Sequence, residues 1–195
     1  MKLLHIDSSI LGENSVSRQL SAAAVANWRQ RAPHIEVEYR DLAAEPLPHL
    51  SGASLAKADP AEAEAAERTM QQFLDADVIV IGAPMYNFSI PSTLKAWIDR
   101  VAVAGRTFRY TEKGPEGLAG GKKLIVAGAF GGIHAGSPTD FVEPYLRQVF
   151  GFLGITDIEF VRADGIAYGP EHREQAINAA LARIAANDGE LAEAA

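Results

Sequence analysis

The chain contains no cysteine. That excludes disulfides, thiolate nucleophiles and cysteine-ligated zinc or iron–sulfur sites, and it agrees with a reducing compartment. Nor is there an excess of positive charge: 18 lysines and arginines stand against 25 aspartates and glutamates, for a net charge of −7. A nucleic-acid or anionic-membrane surface needs a basic footprint, so neither partner is expected. A small anionic ligand stays open, because helix N-termini and backbone amides bind anions without net positive charge. No run approaches the roughly 20 apolar residues of a membrane span. The stretch Met1-Lys-Leu-Leu-His-Ile-Asp7 is also too short an apolar run for a signal peptide. The expectation is a cytoplasmic protein.

The usual catalytic signatures are missing too. There is no Gly-Lys-Ser/Thr phosphate loop, no G-x-G-x-x-G, no G-x-S-x-G, no H-E-x-x-H, no two-histidine-one-carboxylate spacing and no paired carboxylate motif. Without an evident nucleophile, metal or acid–base pair, the chemistry is expected to belong to a bound cofactor.

What is present is a chain of 195 residues, 48% of them hydrophobic. It is long enough for a single domain over residues 1–195 with a substantial core. The centre of the pattern is residues 78–91, Val-Ile-Val-Ile-Gly-Ala-Pro-Met-Tyr-Asn-Phe-Ser-Ile-Pro. The β-branched run at 78–81 suits a strand buried on both faces of a parallel sheet. Gly82, Ala83 and Pro84 are expected to stop it, Met85, Tyr86, Asn87 and Phe88 to form a turn, and residues 92–101 a helix.

Around this centre, residues 3–6, 35–39, 123–128 and 158–161 read as strands, the second a half-exposed edge strand by its period-two alternation. Helices are expected from Ser17 to Pro33, over 61–74, over 139–152 and over 170–186. Residues 41–60 read as a long irregular segment, 105–121 as a small hairpin, and 188–195 as a fraying end. Strands that alternate with helices predict an α/β, doubly wound parallel sheet of five strands in the order 2-1-3-4-5, with helices on both faces. The ligand is then expected at the switch between the first and third strands.

Three segments could meet at that switch point. Ser8, Ser9, Ser15 and Ser17 lie between the first strand and the first helix, where Ser15 or Ser17 would cap the helix and leave free amides in its first turn. This is either a phosphate-monoester site or ordinary capping in a polar loop. Residues Met85 to Phe88 are either the wall of a planar heterocycle or core packing at a tight turn. The third segment is Gly128-Ala-Phe-Gly-Gly-Ile-His134. Amides of Phe130, Gly131 and Gly132 could donate to a ring carbonyl or an anionic ring nitrogen, or the turn is merely flexible. His134 either orients a substrate or moves a proton there, or is an ordinary turn histidine. His5, His34, His49 and His172 are scattered.

Met85-Tyr-Asn-Phe88 after Val-Ile-Gly-Ala-Pro resembles the FMN-dependent NADH-azoreductase family of bacterial flavoenzymes. So do Asp7-Ser-Ser-Ile-Leu, Ser15-Val-Ser17, Gly105-Arg-Thr-Phe-Arg-Tyr110, Gly114-Pro-Glu-Gly-Leu118, Gly131-Gly-Ile-His134, Gly151-Phe-Leu-Gly-Ile155 and Gly165-Ile-Ala-Tyr-Gly-Pro170. The resemblance implies a flavodoxin-like fold and a homodimer with one FMN per subunit. It also implies ping-pong reduction by NADH of quinones and of aromatic azo compounds, which are cleaved to amines. By position, Ser9, Ser15, Val16 and Ser17 would bind the FMN phosphate. Met85, Tyr86, Asn87 and Phe88 would border the isoalloxazine, and Ala129, Phe130, Gly131 and Gly132 would contact its pyrimidine end. Phe108, Tyr110 and Phe152 resemble residues on the substrate side, some of them supplied by the partner subunit. Ala129-Phe130 departs from the Ser-Arg pair or other residues of relatives, and a bulky Phe130 is expected at the pocket mouth, where it would alter substrate range. The competing readings are a flavodoxin-like electron carrier without its own NADH activity and a flavin-free α/β domain.

Overall fold

The computed structural model describes residues 1–186. Five parallel strands form the main sheet: β1 (Lys2–Asp7), β2 (Glu36–Asp41), β3 (Val78–Pro84), β6 (Lys123–Ala129) and β7 (Asp157–Ala163). Their spatial order is β2-β1-β3-β6-β7, which in chain order of the sheet strands is 2-1-3-4-5. The expected doubly wound sheet is therefore present, with β2 at one edge. Between β3 and β6 in the chain lies a separate antiparallel hairpin, β4 (Phe108–Thr111) and β5 (Gly114–Gly117).

The central strands are apolar on both faces because both faces are covered. Ile79 and Ile81 of β3 and Leu124 and Val126 of β6 point into one core, whereas Val78, Val80, Ile125 and Ala127 point into the other. Alternate residues of a strand face opposite sides, so each run feeds two cores at once. The first core contains Phe73 of α3 (Pro60–Asp75), Leu94 and Trp97 of α4 (Ser92–Val101) and Leu146 and Phe150 of α5 (Glu143–Phe152). The second contains Leu20, Ala24 and Trp28 of α1 (Val16–Arg31) and Ala180 and Ile184 of α6 (Pro170–Ala186). Complete burial of one such large apolar side chain contributes about 1.5–3 kcal/mol, so these two layers supply the main drive for folding. No helix among the described residues is long and apolar enough to cross a membrane.

Three expectations are corrected. The central strand does not stop at Ile81: Gly82, Ala83 and Pro84 continue it, in register with Ala127, Gly128 and Ala129. The extension is possible because Gly82 has no side chain; a Cβ there would lie 2.3 Å from Asp7 Oδ1. The fifth helix starts at Glu143, not at residue 139. Gly136 takes a left-handed φ of 70° and Asp140 Oδ1 accepts the amides of Val142 (3.1 Å) and Glu143 (3.2 Å), so the chain turns there before it coils. The segment 41–60 holds a short helix, α2 (Gly52–Leu55). It is pinned where Arg100 Nη2 donates to the Pro48 carbonyl (2.8 Å) and pairs with Glu62 (2.6 Å). The expected fraying at 188–195 lies outside the described residues.

Candidate cofactor site at the switch point

The loops after β1, β3 and β6 leave the carboxyl ends of adjacent strands in the middle of the sheet. Chain connections diverge there, and a crevice opens between the loops.

The loop after β1 is built from hydroxyls. Ser8 Oγ donates to the Gly82 carbonyl (2.7 Å), which ties the loop to the central strand. Ser15 caps α1: its Oγ accepts the Arg18 amide (3.3 Å) and lies 3.1 Å from Ser17 Oγ. The amides of Val16 and Ser17 find no acceptor among the described residues. These unspent donors lie at the positive end of a 16-residue helix, with two hydroxyls beside them, an arrangement that favours negative charge.

The loop after β3 is a reversal closed by paired bonds. The Tyr86 amide donates to the Ser89 carbonyl (2.9 Å) and the Ser89 amide to the Tyr86 carbonyl (3.0 Å). Asn87 and Phe88 between them both have left-handed backbones, with φ of 49° and 68°. Two positive φ values are what a two-residue type I′ turn demands. Asn accepts this geometry readily, but a bulky Phe does so at a cost of about 1–3 kcal/mol, held by its surroundings. Phe88 is 54% exposed.

This turn touches both neighbours. Tyr86 Oη lies 3.0 Å from Ser9 Oγ and accepts the Ile10 amide (3.2 Å). On the other side the Met85 amide donates to the Ala129 carbonyl (2.9 Å), and the Phe88 ring meets His134 edge to face at 5.9 Å between centroids. Thus contacts join Ser9 to Tyr86, Met85 to Ala129 and Phe88 to His134 across the three loops, which also carry Ser15, Val16, Ser17, Asn87, Gly131 and Gly132.

The loop after β6 is braced from below. Arg162 of β7 pairs with Asp140 (2.7 Å), Glu143 (2.7 Å) and Asp164 (3.0 Å), and its guanidinium stacks 4.0 Å over the Phe130 ring. Burial lowers its proton affinity, but hydrogen bonds to Asp164 and Glu143 and the surrounding negative charge more than reverse that. Asp164 Oδ1 also accepts the His134 amide (3.0 Å), and His134 Nδ1 lies 2.8 Å from Thr139 Oγ1. His134 Nε2 turns back over Gly132: a Cβ on Gly132 would lie 2.9 Å from it.

Phe130 overturns the expectation attached to it. It is not at the pocket mouth but fully buried, with 0% exposure. Gly128 makes that possible, since a Cβ there would sit 2.6 Å from the ring. The Phe130 amide is not free either, because it donates to the Ala163 carbonyl (2.9 Å). The Gly131 and Gly132 amides have no acceptor among the described residues.

The other expected contacts are elsewhere. Phe108 packs on Phe152 (4.6 Å between centroids) and on Tyr110 (5.6 Å), and Tyr110 is 76% exposed. Their hairpin docks where α5 leads into β7: the Ala119 amide donates to the Leu153 carbonyl (2.9 Å). That is the amino end of the sheet, opposite the crevice, so one chain does not bring these aromatics to it.

A polar cluster behind the first loop was missed in the sequence. Asp7 accepts from Ser21 Oγ (2.7 Å) and Tyr39 Oη (3.1 Å), and His5 Nε2 is 3.0 Å from Ser21 Oγ. Arg18 and Asp41 complete it. Only the period-two placement of His5 and Asp7 on one strand hinted at it.

Comparison with known proteins agrees with this architecture. Residues 1–187 match the flavodoxin-like fold family. The FMN-dependent NADH:quinone oxidoreductase of Stenotrophomonas maltophilia (strain K279a) is 66% identical over 188 residues, 96% of each chain. The crystal structure of azoreductase from Bacillus anthracis (strain Sterne) superposes with a TM-score of 0.86 at 32% identity, over 96% of this chain and 98% of that one. An FMN-dependent NADH-azoreductase of Bacillus anthracis (strain Ames Ancestor), solved in complex with FMN, gives 0.85 at 26% identity over 96% and 99%. A chain with this sheet order, matched over nearly its whole length, belongs to the flavodoxin-like fold family.

Proposed function

We propose that the protein is an FMN-dependent NADH:quinone oxidoreductase that also cleaves aromatic azo compounds, and that residues 1–195 act as one domain. The observation that carries the reading is the meeting, at one switch point, of a helix start with two unpaired amides, an aromatic turn and two free glycine amides. Each answers a part of FMN. The hydroxyls of Ser9, Ser15 and Ser17 and the amides of Val16 and Ser17 suit a phosphate dianion. Met85, Tyr86, Asn87 and Phe88 supply a wall for a flat ring, and Ala129, Gly131 and Gly132 an edge. Phe130 supports that edge from beneath rather than touching the ring. When bound, FMN would supply two-electron redox chemistry on one open face, which nicotinamide and acceptor would use in turn, in ping-pong order.

The chain's own residues do the rest. The Gly131 and Gly132 amides would donate to the polar edge of the bound ring system and would favour negative charge there. His134 Nε2, on the same side, can hold or release a proton, while the Nδ1 contact with Thr139 fixes the ring's orientation. Phe88 keeps water off the outer wall. The names of the relatives support quinones and azo compounds as acceptors. A homodimer in which one protomer's aromatics reach its partner's crevice is part of the proposal, and the 76% exposure of Tyr110 at the far end of the sheet leaves that ring free for such a contact.

The purified chain should be yellow, bind one FMN per subunit and oxidise NADH with menadione when no other protein is present. Initial-rate plots at several menadione concentrations should be parallel. A protein that binds FMN but transfers no electrons from NADH unaided is a carrier, and the enzyme reading fails. Light scattering should give a dimer mass; a monomer with full activity would refute the shared site.

A further inference from the structure

The geometry points to Arg18 as a positioning residue for the cofactor phosphate, acting through the Ser9 turn and not as a ligand; this rests on the FMN reading above. An arginine in the first turn of an anion-binding helix looks like a phosphate ligand. Its hydrogen bonds exclude that role. A guanidinium has five N–H donors. Arg18 Nε and Nη2 donate to the Ser9 carbonyl (3.2 and 2.8 Å), Nη2 and Nη1 donate to Asp41 Oδ1 and Oδ2 (2.7 and 2.8 Å), and Nη1 donates to Tyr39 Oη (3.0 Å). All five are spent inside the protein. The charge is matched by Asp41, with Asp7 3.8 Å away. Hydrogen bonds from Arg18 hold the Asp41 carboxyl below its usual range.

The target of this clamp is informative. Arg18 grips the carbonyl of Ser9, the same residue whose Oγ faces Tyr86 Oη and accepts the Leu11 amide (3.3 Å). Arg18 thus fixes the carbonyl of a buried serine whose hydroxyl is held toward Tyr86, the side proposed for the phosphate. Asp41 is held in turn by the Ala43 amide (2.9 Å), so the clamp rests on the end of β2 and the start of the long connection. The phosphate socket is then built from amides and hydroxyls without a side-chain cation, and its shape depends on one arginine turned away from it.

The test is flavin binding to the full chain stripped of flavin, read by quenching of flavin fluorescence, for wild type, Arg18→Gln, Arg18→Lys, Ser9→Ala and Arg18→Gln/Ser9→Ala, with FMN and with riboflavin. Arg18→Gln should weaken FMN by roughly tenfold to a hundredfold, the range for a lost charge-assisted hydrogen bond, and leave riboflavin, which lacks the phosphate, unchanged. Arg18→Lys should stay within roughly threefold of the Gln variant, because one ammonium cannot reproduce the planar fork. The double variant should lose less than the sum of the two single losses. Rescue by Lys, full additivity with Ser9→Ala, or equal loss of FMN and riboflavin would each overturn the inference. If Arg18→Gln does not fold, Arg18→Lys and Ser9→Ala carry the same comparison. Wild type that binds FMN beside an unaffected Arg18→Gln refutes the clamp alone; wild type that binds no FMN refutes the proposed function and the clamp with it.

Discussion

The two turns that flank the aromatic reversal are each fixed by one arginine, but in different ways. At the first, Arg18 bonds directly to the backbone of the turn, and its counter-charge Asp41 is partly open to water. At the second, Arg162 never touches the glycines. It lies beneath Phe130, binds three carboxylates and reaches the turn through Asp164, which accepts the His134 amide. The first turn is held by a hydrogen bond that sets the direction of one group. The second is held by a packed, charged foundation, above which the glycine amides remain free. The first device fixes the direction of one backbone carbonyl, and the second fixes the level of a whole turn.

The largest expected effect separates them on stability. Arg162→Met strips the partner from three partly buried carboxylates and should cost about 3 kcal/mol in urea unfolding. Arg18→Gln should cost about 1–2 kcal/mol, since Asp41 can recover water. Equal losses would mean that the two turns are braced alike. A middle-sized effect comes from Gly82→Ala, where the added methyl meets Asp7 Oδ1. Overpacking there should cost about 1–3 kcal/mol and weaken flavin binding on the first turn's side without altering the second. Thermal unfolding and FMN titration together would show whether the damage stays local.

The smallest effect is a pH slope confined to the first region. The Tyr39 ring is exposed, but its hydroxyl is enclosed between Asp7 and Arg18, and burial together with the Asp7 carboxylate pushes it up to about 12. An unfolded tyrosine loses its proton near the ordinary value of about 10. The folded state therefore retains a proton that the unfolded state has lost. Stability from this source is complete below about pH 10 and declines as pH rises toward about 12. Tyr39→Phe should flatten that alkaline decline and remove the last tyrosinate from an ultraviolet titration. An unchanged slope would show that the enclosure is loose.

What the sequence revealed follows from the range of the forces involved. The sheet order was legible because strands buried on both faces must be continuous apolar runs, as at Val78 and Leu124, and because helices alternate with them. A cap at Ser15 or Ser17 was legible because a cap's partner is local, and the structure selects Ser15, whose partner, the Arg18 amide, is three residues away. Phe130 was misplaced because an apolar residue before Gly131-Gly132 looks like part of an exposed turn. Its actual surroundings, Gly128 below one edge and Arg162 over its face, depend on a strand more than thirty residues on. Arg18 with Asp41, and His5 with Ser21, are likewise pairs that only the folded sheet creates.

The reversal at Asn87-Phe88 has a consequence for how such a protein can change. Both residues occupy backbone conformations that glycine adopts freely. A substitution of Phe88 by Gly would relax the turn, and a search that rewarded heat resistance alone would favour it. The same change would erase the aromatic wall and its contact with His134. Backbone ease and the aromatic contact with His134 therefore pull this one position in opposite directions, and its phenylalanine keeps the contact at the cost of the backbone.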